Sequence, residues 1–390
     1  MPVCTVRPPA HWRSTRSGSV SMCIRDRSMS KLADSLPVGV LAGALRFAFG
    51  LPAPVRRLIT GKLVVLDGQR LHPDAQLLLR LQQLAGQDWD TASPAHNRAA
   101  LAQSSALVCG PVVEGVGVRP VRIPRDGGEI AGRVYEPVGL APDSALLVFY
   151  HGGGWVSGDL DSHDNLCRFL ALEAGVRVLA VDYRLAPEHP FPAAVDDVMV
   201  AFEWAVEHAA DLRIDPARIA LGGDSAGGNL AAVTALRAAR AGGPKPVFLL
   251  LLYPAVDASS KRRSRELFGN GFFLTDAKMD WFRDHYAPEE ASWVDERLSV
   301  LLADDLGGLP PTYLAVAGFD PLRDEGEAFA EKLAAAGVPV VLRRHEGLFH
   351  GFANVLGLGG IYREAVSEAV GSLRTGLALA NSRQDLSETA

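Results

Sequence analysis

The stretch "RIALGGDSAGGNL", residues 218–230, decides the fold that we expect for this chain. Its first six residues are mostly apolar and predict one short buried strand, and the residues after Ser225 begin a helical pattern. Between them, Gly-Asp-Ser-Ala-Gly matches G-x-S-x-G, whose small residues allow a sharp, strained turn from strand into helix. The stretch therefore predicts a strand, a tight turn and a helix, with the Ser225 hydroxyl presented at an edge of the sheet.

Strands and helices alternate on both sides of this turn. Apolar runs predict strands at 119–124, 129–137, 146–150, 176–183, 218–223, 247–254, 312–318 and 338–345. Helical periodicity predicts helices near 163–174, 191–210, 226–241, 324–336 and 361–379. Because continuously apolar strands alternate with helices, the pattern indicates an α/β fold with a mostly parallel, eight-stranded sheet that helices cover on both faces.

Two segments do not follow this alternation. Residues 29–110 are predicted to be helical, and "HPDAQLLLRLQQLAG" at 72–86 is the clearest amphipathic stretch. Residues 256–298 are charged and aromatic and contain no predicted strand. We expect both segments to form a helical cap over an α/β core made of residues 111–255 and 299–380, with a tail at 381–390.

The first 28 residues differ from the rest, because they show no periodicity and little that could pack. The piece "MCIRDR" (22–27) resembles the translation of a transposon end used to prepare sequencing libraries. We therefore hypothesise that the native chain begins at Met29 and that residues 1–28 are a disordered or non-native extension. Contiguous genomic reads that encode residues 1–28 would contradict this hypothesis.

Composition and charge limit the class of protein. The chain has 390 residues, of which 48% are hydrophobic, so it can build a large core. Its formal net charge of -6 argues against nucleic acid or an anionic membrane as the partner. No signal peptide is recognisable, and the apolar stretch Val38–Phe49 is too short to span a bilayer. We expect a soluble cytoplasmic protein, with weak surface association of Val38–Phe49 left open.

The cysteines do not form a recognisable framework. Cys4, Cys23, Cys109 and Cys167 are widely and irregularly spaced, and none belongs to a C-x-x-C pair. This spacing favours reduced thiols over disulfides or a metal site.

Ser225 is the candidate nucleophile, because G-x-S-x-G lies between a predicted strand and a predicted helix. The N–H of Ala226 would then lie at a helix start, where it can face a developing anion. A plain glycine-rich turn is the alternative explanation. A phosphate-binding loop would need a G-K-[ST] ending, which this sequence lacks.

A serine needs a base that is oriented by an acid. Folds with this turn place the acid and then the histidine later in the chain. Asp320 directly follows a late predicted strand, whereas Asp324 is explained by a helix capping box with Glu327, worth about 1 kcal/mol. His350 lies in a loop between glycines, whereas His345 still lies at the end of a strand. We therefore predict Asp320 as the acid and His350 as the base.

Three consecutive glycines in "HGGGW" (151–155) follow the third predicted strand of the core. Attack by a serine produces an oxyanion, which needs N–H donors that are positioned before the reaction. A tight turn explains one glycine, but three favour an oxyanion loop whose bare backbone can approach the substrate. His151 is better explained by a structural hydrogen bond than by a catalytic role. The remaining histidines are predicted to be surface or capping residues: His163, His189, His208 and His285.

Five motifs together resemble the bacterial hormone-sensitive-lipase-like (family IV) esterases of the α/β-hydrolase superfamily. In chain order they are "HGGGW" (151–155), "DYRLAPEHPFPAA" (182–194), "GDSAGGNL" (223–230), "DPLRDEG" (320–326) and "HGF" (350–352). The resemblance covers about residues 110–380 in the order that the family shows. One departure, Ser299-Val300 where the family has Ser-Pro, affects no catalytic residue.

The resemblance implies a carboxylesterase that hydrolyses short- to medium-chain acyl esters without a metal or other cofactor. It implies Ser225 as nucleophile, Asp320 as acid and His350 as base. It also implies oxyanion donors from Gly153, Gly154 and Ala226. "YRLAPE" (183–188) would be structural. A small-molecule ester is the expected partner, and a homodimer is left open.

Aromatic residues of the cap are candidates for the substrate pocket, although residues at helical spacing can equally belong to a core. The candidates are Trp155, Phe272, Phe273, Trp281 and Phe282. Two rival functions remain: an amidase or arylformamidase that uses the same triad, and a non-catalytic receptor on a hydrolase scaffold. The presence of His350 argues against the receptor, which would be expected to lose its base.

Overall fold

The computed structural model describes residues 37–84 and 93–388, with side chains to residue 380. The predicted extension 1–28 lies outside the described residues.

The centre of the fold is an eight-stranded sheet with the order β10-β9-β8-β7-β5-β6-β4-β3. Its strands are β3 (Val116–Arg125), β4 (Gly128–Pro137), β5 (Ser144–Tyr150), β6 (Arg177–Asp182), β7 (Ile214–Asp224), β8 (Phe248–Leu252), β9 (Thr312–Phe319) and β10 (Val340–Phe349). β4 pairs antiparallel with β3 and β6, and the other neighbouring strands are parallel. The predicted mostly parallel eight-stranded sheet is therefore confirmed.

Helices cover both faces of the sheet. They are α5 (Asp164–Ala174), α6 (Ala193–Glu207), α7 (Ala209–Leu212), α8 (Ala226–Ala241), α11 (Arg323–Ala335) and α12 (Gly360–Glu388). Side chains of β5 alternate between two cores: Val148 packs with α6, α8 and α11, and Phe149 packs with α5 and α12. This alternation explains why the strand is apolar throughout.

The two segments outside the alternation contain α1 (Val38–Gly50), α2 (Ala53–Thr60), β1 (Val65–Leu66), β2 (Gln69–Arg70), α3 (Pro73–Leu84), α4 (Pro94–Val108), α9 (Arg263–Phe268) and α10 (Asp276–Tyr286). The β1–β2 hairpin corrects the expectation that residues 29–110 are helical. Asp67 and Gly68, both at positive φ, form its turn, which suits an Asp-Gly pair. The last helix continues to Glu388, through most of the predicted tail.

The carboxyl ends of four parallel strands meet at one edge of the sheet. β5 leads into the glycine stretch, β7 into Ser225, β9 into Asp320 and β10 into His350. Residues that are far apart in the sequence are therefore brought to a common edge, where ligands bind in open α/β sheets.

Candidate active site

Ser225 occupies a strained turn between β7 and α8. Its φ is 55° and its ψ is -119°, in a region that side-chain-bearing residues rarely adopt. The flanking glycines are required sterically, since a Cβ on Gly223 would lie 2.3 Å from the carbonyl carbon of Gly227, and one on Gly227 would lie 1.9 Å from the Tyr150 carbonyl oxygen. The Ser225 N–H donates to the Leu252 carbonyl at 2.9 Å. The turn is therefore fixed both by the close packing of its flanking glycines and by the hydrogen bond from Ser225 to the end of β8.

Ser225, His350 and Asp320 form a continuous hydrogen-bonded chain. His350 Nε2 lies 2.9 Å from Ser225 Oγ, and His350 Nδ1 lies 2.8 Å from Asp320 Oδ2. Asp320 is completely buried, and its Oδ1 accepts the Leu322 N–H at 2.9 Å. A carboxylate on the Nδ1 side favours the tautomer in which Nε2 is free to accept the serine proton. The structure therefore brings together the three residues that the sequence selected.

The glycine stretch lies beside this chain. Gly153 and Gly154 have φ values of 118° and 61°, so both need the freedom that glycine has. A Cβ on Gly154 would lie 2.2 Å from the Phe282 ring. Ala226 begins α8, where N–H groups have no partner within the helix. Within the described residues, no group accepts a hydrogen bond from the N–H of Gly153 or of Gly154.

Asp224 connects the turn to the glycine stretch, a role that the sequence analysis missed. Its Oδ1 accepts the Gly152 N–H at 2.8 Å, and its Oδ2 accepts from Asn354 Nδ2 at 3.2 Å. His163 Nε2 lies 3.2 Å from Oδ1. Burial raises the pKa of Asp224, but His163 and the Gly152 N–H outweigh burial, so the pKa lies below its usual value. His163 is buried, so its assignment as a surface residue was wrong; it occupies the N-cap position of α5, although its side chain makes no cap hydrogen bond.

The segment "YRLAPE" packs under the glycine stretch. The Tyr183 hydroxyl donates to the His151 carbonyl at 2.7 Å, and its ring stacks on the His151 ring. The Ala186 N–H donates to the Trp155 carbonyl at 2.9 Å. Burial lowers the pKa of His151 to about 4, so this side chain is neutral at pH 7. These contacts brace the backbone on which Gly153 and Gly154 lie.

A cavity opens above Ser225 between the core and the cap. Of the five predicted pocket residues, Trp155, Phe273 and Phe282 line it. Phe272 and Trp281 do not: Phe272 packs against Phe319, and Trp281 packs against the core. Both are therefore corrections. Residues of α3 and α4 complete the wall: Leu78, Gln82, Asn97, Leu101, Ser104, Ser105 and Val108.

Charged side chains also line the cavity, and the sequence analysis predicted none of them as pocket residues. They include Asp257, Lys278 and Glu325, and all three are buried. Glu325 Oε1 accepts the N–H groups of Val256 at 2.8 Å and Asp257 at 3.3 Å. Burial, with a smaller contribution from the Asp257 carboxylate, raises the pKa of Glu325 to about 8.

We expect Glu325→Gln to change how stability depends on pH. Because the pKa of Glu325 in the folded state lies above the ordinary value of 4.5, the folded chain holds this proton more tightly than the unfolded chain. Its contribution to stability is thus complete below pH 4.5 and is lost as the pH rises through about 8. Glutamine stays neutral, so the free energy of unfolding of the variant should rise relative to that of the wild type over this range, by on the order of a few kcal/mol at most.

Urea unfolding over this pH range measures the difference. Glu327→Gln is the matched control, because Glu327 lies on the same helix but pairs with Arg344. A difference between Glu325→Gln and wild type that did not change with pH would contradict the expectation.

Asp324 does not cap its own helix. α11 begins at Arg323, its N-cap residue is Leu322, and the Leu322 side chain makes no cap hydrogen bond. The Asp324 carboxylate instead accepts the Ser264 N–H at 2.8 Å and pairs with Arg323. The predicted capping box was therefore wrong, and Asp324 connects α9 of the cap to the core.

No group of three or more His, Cys, Asp or Glu side chains suited to a metal ion occurs among the described side chains, residues 37–84 and 93–380. Cys109 and Cys167 are free thiols, whereas Cys4 and Cys23 lie outside the described residues.

Comparison with known proteins gives concordant matches. A family model described as an alpha/beta hydrolase fold matches residues 147–354. The carboxylic ester hydrolase LipN of Mycobacterium tuberculosis is 47% identical over 340 residues, which are 84% of this chain and 89% of that protein. An ethyl acetate hydrolase of Pseudomonas putida is 39% identical over 305 residues, 76% of this chain and 95% of that protein. An ester hydrolase from the Lake Arreo metagenome, solved with a derivative of bipyridine phosphonate, superposes with a TM-score of 0.77 at 40% identity and covers 79% of this chain and 99% of that one.

Proposed function

Because this chain belongs to the hormone-sensitive-lipase-like family of α/β hydrolases and is a carboxylic ester hydrolase, we propose that it cleaves esters through Ser225, His350 and Asp320. The observation that carries this proposal is the hydrogen-bonded chain from Ser225 Oγ through the imidazole to Asp320, at 2.9 and 2.8 Å. A serine so placed can transfer its proton as it attacks.

In the first half of the reaction, His350 Nε2 takes the proton of Ser225 while Oγ bonds to the ester carbonyl carbon. The carbonyl oxygen becomes an oxyanion, which accepts hydrogen bonds from the N–H groups of Gly153, Gly154 and Ala226. When the carbonyl re-forms, the bond to the alkoxy oxygen breaks, and His350 gives its proton to the leaving alcohol. An acyl group remains on Ser225.

In the second half, His350 takes a proton from water, whose oxygen attacks the acyl carbon. The bond to Ser225 Oγ breaks, the proton returns to the serine, and the carboxylic acid leaves. Asp320 remains ionised in both halves and stabilises the imidazolium that forms. Asp224 is buried, accepts a hydrogen bond from the Gly152 N–H and directly precedes Ser225 in the chain. It therefore keeps the glycine stretch aligned with the turn at Ser225.

We propose short- to medium-chain acyl esters as the substrates. The apolar wall of the cavity and the Phe282 ring close to Gly154 support a pocket of limited length. A relative 39% identical to this chain is named an ethyl acetate hydrolase, which agrees with a short acyl group. A panel of p-nitrophenyl esters of increasing acyl length tests this: maximal kcat/KM for the longest acyl groups would contradict it.

Phe282→Ala should shift this preference toward longer acyl chains. Removing the ring opens space beside Gly154, and one methylene in a pocket changes discrimination about tenfold or more. The ratio of kcat/KM for p-nitrophenyl octanoate to that for the butyrate should therefore rise roughly tenfold. Phe272→Ala is the matched control, because Phe272 packs on Phe319 away from the cavity. An equal rise of this ratio in both variants would contradict the prediction, because the effect would then not come from the space opened beside Gly154.

An amidase or arylformamidase with the same triad is the second candidate. Comparing p-nitrophenyl butyrate with N-formylkynurenine and an anilide separates the two functions. A preference for either amide would replace the proposed substrate class but keep the triad. Cytoplasmic location and a homodimer remain predictions.

A further inference from the structure

The first part of the cap, residues 38–66, exposes several large apolar side chains. We call it the outer cap segment; it contains α1, α2 and β1. Phe47 is 72% exposed and Leu58 is 85% exposed, and Val40, Val55 and Val65 are also exposed. Single exposed apolar residues are common, but several in one short segment mark an interaction surface.

Three of the exposed apolar residues of α1 share one face. Val40, Ala44 and Phe47 are spaced i, i+4 and i+7, which places them above one another on a helix. Leu45 and Phe49 instead pack against the core. The helix is therefore held by its inner face and leaves an outer apolar face uncovered by the described residues.

The charge of this segment is opposite to that of the whole chain. Residues 38–66 carry Arg46, Arg56, Arg57 and Lys62 and no acidic residue, whereas the chain has a net charge of -6. Arg56 pairs with Asp74, but Arg46, Arg57 and Lys62 form no ion pair with any described residue. Since salt limits electrostatic reach to about 10 Å, the local charge and not the net charge decides what approaches this surface.

The segment lies on the outer side of the cavity wall. α1 packs on α4 and α2 packs on α3, and both α3 and α4 line the cavity above Ser225. Among the described helices, none alone has the length and apolar composition to cross a membrane. Only α1 and α2 together meet that test, and they are bent by 113° relative to each other.

We propose that the outer cap segment docks on an anionic lipid surface, lying in the interface and not crossing it. Exposed Phe47 and Leu58 supply the apolar contact, and Arg46, Arg57 and Lys62 supply attraction to lipid phosphates. Charge complementarity favours this partner over a second copy of the chain, since the latter would place two cationic segments together. The proposal does not depend on the catalytic assignment.

Vesicle co-sedimentation of the full chain tests the proposal. The chain should sediment with vesicles of phosphatidylcholine and phosphatidylglycerol in equal parts, and at least about tenfold less with phosphatidylcholine alone, because the attraction of Arg46, Arg57 and Lys62 to anionic headgroups is lost. Phe47→Ser combined with Leu58→Ser should lower binding by a similar factor or more. The matched control, Val138→Ser with Leu379→Ser, changes two exposed apolar residues elsewhere and should bind like wild type.

Arg57→Glu combined with Lys62→Glu should also lower binding at least tenfold, whereas Lys245→Glu with Arg374→Glu makes the same charge change elsewhere and should have little effect. All variants should hydrolyse a water-soluble ester at the wild-type rate, which shows that they are folded.

Three results would overturn the proposal. The full chain could fail to bind anionic vesicles, or Phe47→Ser with Leu58→Ser could bind as well as its control. The third is a wild-type dimer, seen by light scattering, that these two substitutions convert to a monomer without any vesicle binding; the segment would then be a self-interface. In the first case, vesicle binding by a chain that begins at Met29 would show that residues 1–28 block the surface in the full chain.

Discussion

Ser225→Ala should lower kcat for p-nitrophenyl butyrate by about 10⁴- to 10⁶-fold, because no other group can form the acyl intermediate. Some rate above that of water would remain, since the oxyanion donors and the cavity are unchanged. KM should change little, because the Ser225 hydroxyl contributes little to binding of the ground state. Stopped assays with concentrated enzyme measure the residual rate.

A fluorophosphonate probe gives an independent readout. It should label the wild type at Ser225 and should not label Ser225→Ala. Ser292→Ala is the matched control, since Ser292 is a half-buried serine in the cap whose hydroxyl hydrogen-bonds the nearby Glu289 carbonyl. Wild-type esterase activity in Ser225→Ala, or equal labelling of both serine variants, would eliminate the proposed mechanism.

Asp320→Asn should lower kcat by about 10⁴-fold while leaving the fold intact. An amide can donate to His350 Nδ1, which favours the tautomer that carries its proton on Nε2 and cannot accept one from Ser225. The amide also carries no charge to stabilise the imidazolium. The Leu322 N–H can still be accepted by the amide oxygen, so the turn after β9 should keep its shape.

Asp324→Asn is the matched control for this experiment. Asp324 lies four residues further on and contacts Ser264 and Arg323, not His350. Its kcat should stay within a few-fold of wild type, although the contact between α9 and the core weakens. If both variants lost activity equally, Asp320 would not be the residue that orients the base.

The predictions from the sequence agree best with the structure for the sheet and for the order of strands and helices along the chain. Apolar runs report burial directly, and their alternation with helices leaves a parallel sheet as the consistent solution. Ser225 and Asp320 could be chosen because each follows a predicted strand, and His350 because it lies in the loop after the last predicted strand; parallel strands end at a common edge. Local sequence is sufficient for such residues, whose position depends on the strand alone.

The errors occur where contacts link distant segments. Asp324 and Glu327 have the spacing of a capping box, but the Asp324 carboxylate instead accepts a hydrogen bond from the distant Ser264 N–H. His163 looked like a surface residue, yet it is buried against Asp224. Phe272 and Phe273 are adjacent in the sequence, but only Phe273 lines the cavity, because the path of the loop turns them to different sides.

The sequence by itself determined the α/β architecture and the family, and it selected the residues that we propose for ester hydrolysis, because these depend on periodicity and on position relative to strand ends. Only the tertiary structure decided which side chains surround them: Asp224 behind the glycine loop, Glu325 in the cavity wall, and the cationic, apolar outer face of the cap. Those features depend on how loops and cap helices pack across long sequence separations, and no local pattern encodes that packing.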